Sequence, residues 1–268
     1  MPSIKEITSA KNLQVKAVME LREKKARDDS GLMIVEGVRE MRLARQAGIF
    51  FQQVYLARSF IDQADHREFV EFATKEAKEV FLLKDFIFEK ISFGHRQEGA
   101  LAVCAQPRKQ LADIRCSDKP LFMILEHVEK PGNLGAILRT ADAAGVDAVL
   151  VCDPATDIYN PNVIRSSLGA IFTVAVVEIE APEAFKFLKS KGVVICATVP
   201  QAEKVYTEAD LNVPLAVVMG SEDQGLGEFW VEHCNTPIAI PMKGKVDSLN
   251  VSVSAAIVLY ETIRQRKK

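Results

Sequence analysis

Three polar, glycine-bearing segments in the second half of the chain carry the side chains best equipped for chemistry. In EKPGNLGAILRT (129–140), Asn133 and Arg139 lie six positions apart, nearly two helical turns, so they are offset around a helix but can flank one pocket. VMGSEDQGLG (218–227) sets three glycines around Glu222 and Asp223. Such glycine density lets backbone approach a ligand closely, and the two carboxylates suit a cationic or hydroxyl-rich ligand better than a phosphate. IPMKGKVDSLNVSVSAA (240–256) leads from Lys243 and Lys245 to Ser248, Leu249 and Asn250, just ahead of an apolar helix. An amide, a guanidinium, a carboxylate and hydroxyls orient a polar substrate and hold charge. No histidine lies in these segments to act as a ready proton acceptor.

Each segment also has a plain structural reading: a helix start, a strand-to-helix turn, and an N-cap at Ser248 or Asn250. Two familiar phosphate-binding patterns are excluded. No Gly-Lys-Ser/Thr follows the first segment, and GNLGAI lacks the third glycine of a dinucleotide fingerprint.

The surrounding pattern predicts what positions them. From residue 120 onward, short Val-rich runs at 121–125, 147–152, 173–177, 193–198 and 215–219 alternate with helical stretches at 133–144, 161–168, 184–190 and 251–266. That alternation implies a mostly parallel sheet covered on both faces, with ligands gathering beyond the carboxyl ends of its strands. Upstream, helices at 12–27, 36–47 and 66–78 and strands at 53–57, 79–83 and 100–105 read as a small α/β sandwich. The polar stretch QPRKQLADIRCSDK ahead of Pro120 separates the two. The expected organisation is therefore α/β, with an N-terminal domain at 1–105, a linker at 106–119 and a C-terminal domain at 120–268.

Composition limits the partners. The chain has 268 residues, 48% hydrophobic and 26% charged, with 34 Lys+Arg against 36 Asp+Glu and a formal net charge of −2. This is a folding chain and not a disordered one, and any nucleic-acid binding must come from local patches. Lys24, Lys25 and Arg27 form one such cluster. The five cysteines are scattered without a CxxC, and the four histidines form no ligand pattern, so reduced, packing thiols and no metal are expected. The N-terminus has no apolar signal core and no run is long enough to span a bilayer, which points to a soluble cytoplasmic protein.

Asn133-Leu-Gly135-Ala-Ile-Leu-Arg139-Thr140 resembles the motif N-x-G-A-I-x-R-T, Gly220-Ser-Glu222-Asp-Gln-Gly225 resembles G-x-E-x-x-G, and the run from Ile240 through Ser248-Leu249-Asn250 to Ser252 resembles I-P-M-x-G-x-x-x-S-L-N-V-S. Together, in that order, they are similar to the SpoU (TrmH-type) branch of the SPOUT superfamily, S-adenosylmethionine-dependent RNA ribose 2′-O-methyltransferases. IRSSLGAIF (164–172) also resembles a family segment, and MIVEGVREM (33–41) and EGALAV (98–103) resemble the substrate-binding domain of its rRNA-modifying members. Ser221, Asp223 and Ser254 depart from the residues common at those positions.

The resemblance implies a deep trefoil knot in the C-terminal domain, an exception to the general avoidance of threaded chains, and a homodimer. It implies a cofactor held around Thr198, Val199, Gly220, Ile240 and Leu249, with Arg139 catalytic and Asn133, Glu222, Ser248 and Asn250 in the same site. Lys24, Lys25, Arg27, Arg165, Lys243 and Lys245 are the candidate RNA contacts. Large-subunit rRNA is the expected substrate. The alternatives are tRNA, an rRNA site linked to thiopeptide resistance, or a non-catalytic RNA-binding role; a nucleotide-cofactor oxidoreductase lacks its glycine motif.

Overall fold

The structure is a computed structural model and describes residues 3–93 and 98–267. In chain order its elements begin with β1 (Ile4–Ile7), α1 (Leu13–Glu20), α2 (Lys24–Ser30), β2 (Leu32–Glu36), α3 (Val38–Gln46), β3 (Phe51–Ala57), α4 (Arg58–Ile61), α5 (Arg67–Glu76), β4 (Ala77–Leu83), α6 (Asp85–Ile91) and β5 (Ala100–Ala105). They continue with β6 (Leu121–Glu126), α7 (Pro131–Ala144), β7 (Ala148–Cys152), α8 (Pro161–Ser166), α9 (Ala170–Thr173), β8 (Ala175–Ile179), α10 (Ala181–Ser190) and β9 (Val194–Thr198). The chain closes with β10 (Leu215–Met219), α11 (Glu228–His233), β11 (Thr236–Ile238) and α12 (Val251–Arg266).

Two compact units result. The first comprises residues 1–107 together with 159–172, and the second comprises 108–158 and 173–268. The first is built on a five-stranded mixed sheet in the order β1-β4-β3-β5-β2. The segment bearing α8 thus packs with this unit, against β2, although by sequence it lies among the elements of the second sheet.

One helix expected at 12–27 is instead two, α1 and α2, with a break at 21–23. The reason is Arg27. Its guanidinium is 1% exposed and donates to the carbonyl oxygens of Leu21 at 2.8 Å and Arg22 at 2.6 Å. Those are carbonyls that a continuous helix would have bonded to its own amides.

The second unit has a six-stranded sheet in the order β11-β9-β10-β6-β7-β8, parallel at every pairing. β6, β7 and β10 bury every residue, as strands covered on both faces must. Phe122, Ile124, Leu150 and Trp230 are among the core side chains. Helix α7 starts with Pro131 in its first turn and ends at Gly145 in the left-handed region, φ 67°. Its spacing buries Leu134, Ile137, Leu138 and Ala141 and leaves Arg139 exposed. Burial pushes the Cys104 and Cys196 thiols up to about 12, so both are inert packing groups.

Candidate functional site

The carboxyl end of β10 opens directly into the Gly220–Gly227 loop, and the loops after β9 and β11 face it across a cleft of about 580 Å3. Thr198, Val199, Gly220, Ile240 and Leu249 all line this cleft, as do Glu222, Ser248 and Asn250. Lys130, Gln201, Met242 and Asp247 line it too, and sequence reasoning did not single them out. Lys130 had a signal, since it immediately precedes the proline that opens α7.

A chain of amides and one carboxylate ties the three segments together. Asn250 is the N-cap of α12, its Oδ1 accepting from the backbone N–H of Ser252 at 2.9 Å and from the Ser252 hydroxyl at 2.6 Å. That leaves the Asn250 Nδ2 free to donate to Asn133 Oδ1 at 3.0 Å, and Asn133 Nδ2 donates onward to Glu222 Oε1 at 2.5 Å. Burial acts to raise the Glu222 carboxyl, but donation from Asn133 and from the backbone N–H groups of Glu222, Glu129 and Lys130 holds it below its ordinary value. Glu222 is therefore an anion at neutral pH, and each asparagine has one orientation only.

The far end of the loop is pinned as well. Glu126, buried at the end of β6, accepts the Gly227 N–H at 2.7 Å.

The cleft walls fit a small organic cofactor. Thr198 lines the cleft, and its Oγ1 is buried with no hydrogen-bond partner among the described residues. At Gly220 the loop doubles back so closely that a Cβ would lie 2.1 Å from the Gly225 carbonyl carbon and oxygen. Only glycine permits that cradle.

The sequence profile of the SpoU rRNA Methylase family matches residues 120–260, and that of the MRM3-like substrate binding domain matches residues 12–102. The chain belongs to the SpoU rRNA methylase family. Among its relatives, the 23S rRNA (guanosine(2553)-2′-O)-methyltransferase of Bacillus subtilis is 29% identical over 96% of this chain and 98% of its own. A crystal structure of an RNA 2′-O ribose methyltransferase superposes with a TM-score of 0.86 at 37% identity, covering 98% of this chain and all (100%) of that one. The SpoU methyltransferase AviRb of Streptomyces viridochromogenes, solved in complex with AdoMet, gives 0.88 at 26% identity over 96% and 99% of the two chains.

Within this SpoU methylase the other candidate residues fall in several places. Arg139 projects from α7, exposed and without an ion pair or hydrogen bond among the described residues. Lys243 and Lys245 are exposed on the turn that leads to Ser248. In the first unit Lys24 and Lys25 are exposed. Arg27, grouped with them by sequence, is committed to the interior contacts above and does not share their surface. Arg165 is half-buried and donates to the Phe93 carbonyl at 2.6 Å.

Among the described residues, Glu126, His127 and Asp153 gather metal-ligating atoms within 4.8 Å of one another. Glu126 is already engaged by Gly227, and His127 Nδ1 lies 2.8 Å from the Asp153 carbonyl.

Proposed function

We propose that this SpoU methylase transfers the methyl group of S-adenosylmethionine to a ribose 2′-hydroxyl of ribosomal RNA. The observation that carries this is the joining of three segments, distant in sequence, into one cleft by the Asn250–Asn133–Glu222 chain. Relatives matched over almost the whole chain are named as 23S rRNA 2′-O-methyltransferases, which supports rRNA as the substrate.

Bound in the cleft, the cofactor supplies a methyl group on a good leaving group, so the protein's task is chiefly positioning. Holding two reactants in line can supply roughly 7–11 kcal/mol. Thr198 Oγ1, the Gly220 backbone and the Ile240 and Leu249 segments hold the donor. Ser248 and Asn250 face the ribose. Arg139 serves as clamp and electrostatic partner for the phosphate next to the target ribose, where a fixed positive charge favours the developing alkoxide. A guanidinium, with a pKa above about 12, is a poor base. The proton leaves to phosphate or water.

A second copy of the chain completes the site in this reading. Val253 and Tyr260, seven positions apart on one face of α12, are 47% and 53% exposed, an apolar surface that another subunit would cover.

The test is tritiated-methyl transfer from S-adenosylmethionine to separated rRNA and tRNA pools, followed by mapping of the alkali-resistant linkage. Label at one rRNA position is the expected result. Label confined to tRNA, or to a base, overturns the reading.

A further inference from the structure

The first unit contains a cavity of about 680 Å3 that methyl transfer in the second unit does not use. Two sequence segments that take no part in the cleft meet there: EGVREM supplies Glu36, Val38, Arg39 and Glu40, and IRSSLGAIF supplies Ile164, Arg165 and Leu168. Glycines bring them together. Gly169, at φ 83°, lies so near α3 that a Cβ would be 2.8 Å from Leu43 Cδ1 and 3.3 Å from Glu40 Cα. Gly37, at φ 107°, would place one 2.4 Å from Glu40 Oε2.

The lining has three chemical parts. Ile34, Val38, Leu43, Ile164 and Leu168 form apolar walls. Glu40, only 8% exposed, accepts from its own backbone N–H. Burial and the nearby Glu98 raise its carboxyl above the ordinary value, while Arg39 and Arg165 favour the ionised form, which offers about four acceptor sites. Its neighbour Glu36 is already engaged by the Ser92 hydroxyl and by the Phe93 N–H at 2.6 Å. Finally, Arg39 is exposed at the rim, and Arg39 and Arg165 both act electrostatically on Glu40. A buried acceptor with unused lone pairs calls for donors.

These parts exclude simple ligands. A hydrated cation has no use for apolar walls and meets three guanidiniums, of Arg39, Arg42 and Arg165; an inorganic anion meets three glutamates, Glu36, Glu40 and Glu98. A flat ring with adjacent N–H donors on one edge and a phosphate attached satisfies all three. Among RNA bases only guanine offers that edge, through N1–H and its exocyclic amine. Adenine and cytosine present a single amine there, and uracil a single N–H. Unpaired RNA bases are commonly read on this edge.

We propose that this cavity receives a guanine base of the RNA, its Watson–Crick edge donating to Glu40 and its phosphate held at Arg39. The proposal rests on the RNA-substrate reading above. It assigns the first unit a base-specific contact in addition to backbone contacts.

The test is calorimetric titration of the full chain with GMP, IMP and AMP, in saturating S-adenosylmethionine to keep nucleotides out of the cleft. GMP should bind saturably. IMP, which lacks the exocyclic amine, should bind about tenfold more weakly, as loss of one arm of a bidentate base contact implies, and AMP more weakly still. Glu40→Gln should reduce GMP binding to the IMP level while cofactor binding is unchanged. Equal binding of the three nucleotides, or no GMP binding by a chain that still binds the cofactor, overturns the proposal, and neither result depends on the variant folding. Methyl transfer is measured separately, so loss of that reading would show as absent RNA labelling, whatever the nucleotide series gives.

Discussion

Asn133 has both ends of its amide occupied, accepting from Asn250 and donating to Glu222, so its chemistry can be tested without changing its size. Asn133→Asp sets a second carboxylate against Glu222, and two carboxyls at that separation cannot both ionise. In the native chain the Glu222 carboxyl is depressed. The network is therefore intact above the ordinary carboxylate range and is lost only as pH falls through the lowered value, so cofactor affinity should be flat from pH 8 to pH 5. In Asn133→Asp the pair needs a shared proton, so affinity should be weakened at pH 8 and improve on acidification. A flat profile in the variant would remove Glu222 from the cofactor site. Arg139 permits a similarly sharp comparison. If it acts as a fixed charge, Arg139→Lys should retain substantial methyl transfer and Arg139→Ala should not. A lysine variant that is folded and binds cofactor but is inactive would count against the clamp.

At the scale of elements, the junction of α1 and α2 shows how a charged residue can be structural. Arg27→Ala leaves the Leu21 and Arg22 carbonyls without their donor, and orphaning a buried polar group costs roughly 1–3 kcal/mol. Urea denaturation should register that loss, whereas Lys24→Ala and Lys25→Ala, both on exposed side chains, should leave stability unchanged. The same junction marks where the sequence was silent. Leu13, Val15, Val18 and Leu21 have helical spacing that runs on toward Arg27, and nothing local announces that its guanidinium will fold back onto the preceding turn. β1 was invisible for another reason: three of its four residues are exposed, so no alternation marks it. β2 carries an apolar run, but its Glu36 end merges into the pattern of α3. By contrast β6, β7 and β10 were legible because burial on both faces demands unbroken apolar runs. The cleft was legible because its loops keep polar and glycine residues where packing alone would not select them. The Asn250–Asn133 contact was not, since it depends on which way a capping side chain turns its second group.

For the whole molecule, two properties follow from surfaces and not from single contacts. If α12 is covered by a second copy, Tyr260→Glu with Val253→Asp should convert a dimer to a monomer in sedimentation velocity runs, with methyl transfer falling in step. A native chain that sediments as a monomer would refute this. RNA affinity poses the complementary problem, since a net charge of −2 provides no general attraction to a polyanion. Binding must then rest on a few phosphate contacts, and their number can be read from salt. Each phosphate neutralised on single-stranded RNA contributes about 0.7 to the slope of log affinity against log salt. Lys24, Lys25, Lys243 and Lys245 are exposed, and none forms an ion pair among the described residues, so each is available to a phosphate. Removing either pair should lower the slope by roughly 1 to 2. Arg27→Ala should leave it unaltered wherever the variant remains folded, because a guanidinium already holding two carbonyls releases no counterion when RNA arrives. A slope unchanged by all four lysine substitutions would move the RNA path to other surfaces of the two units.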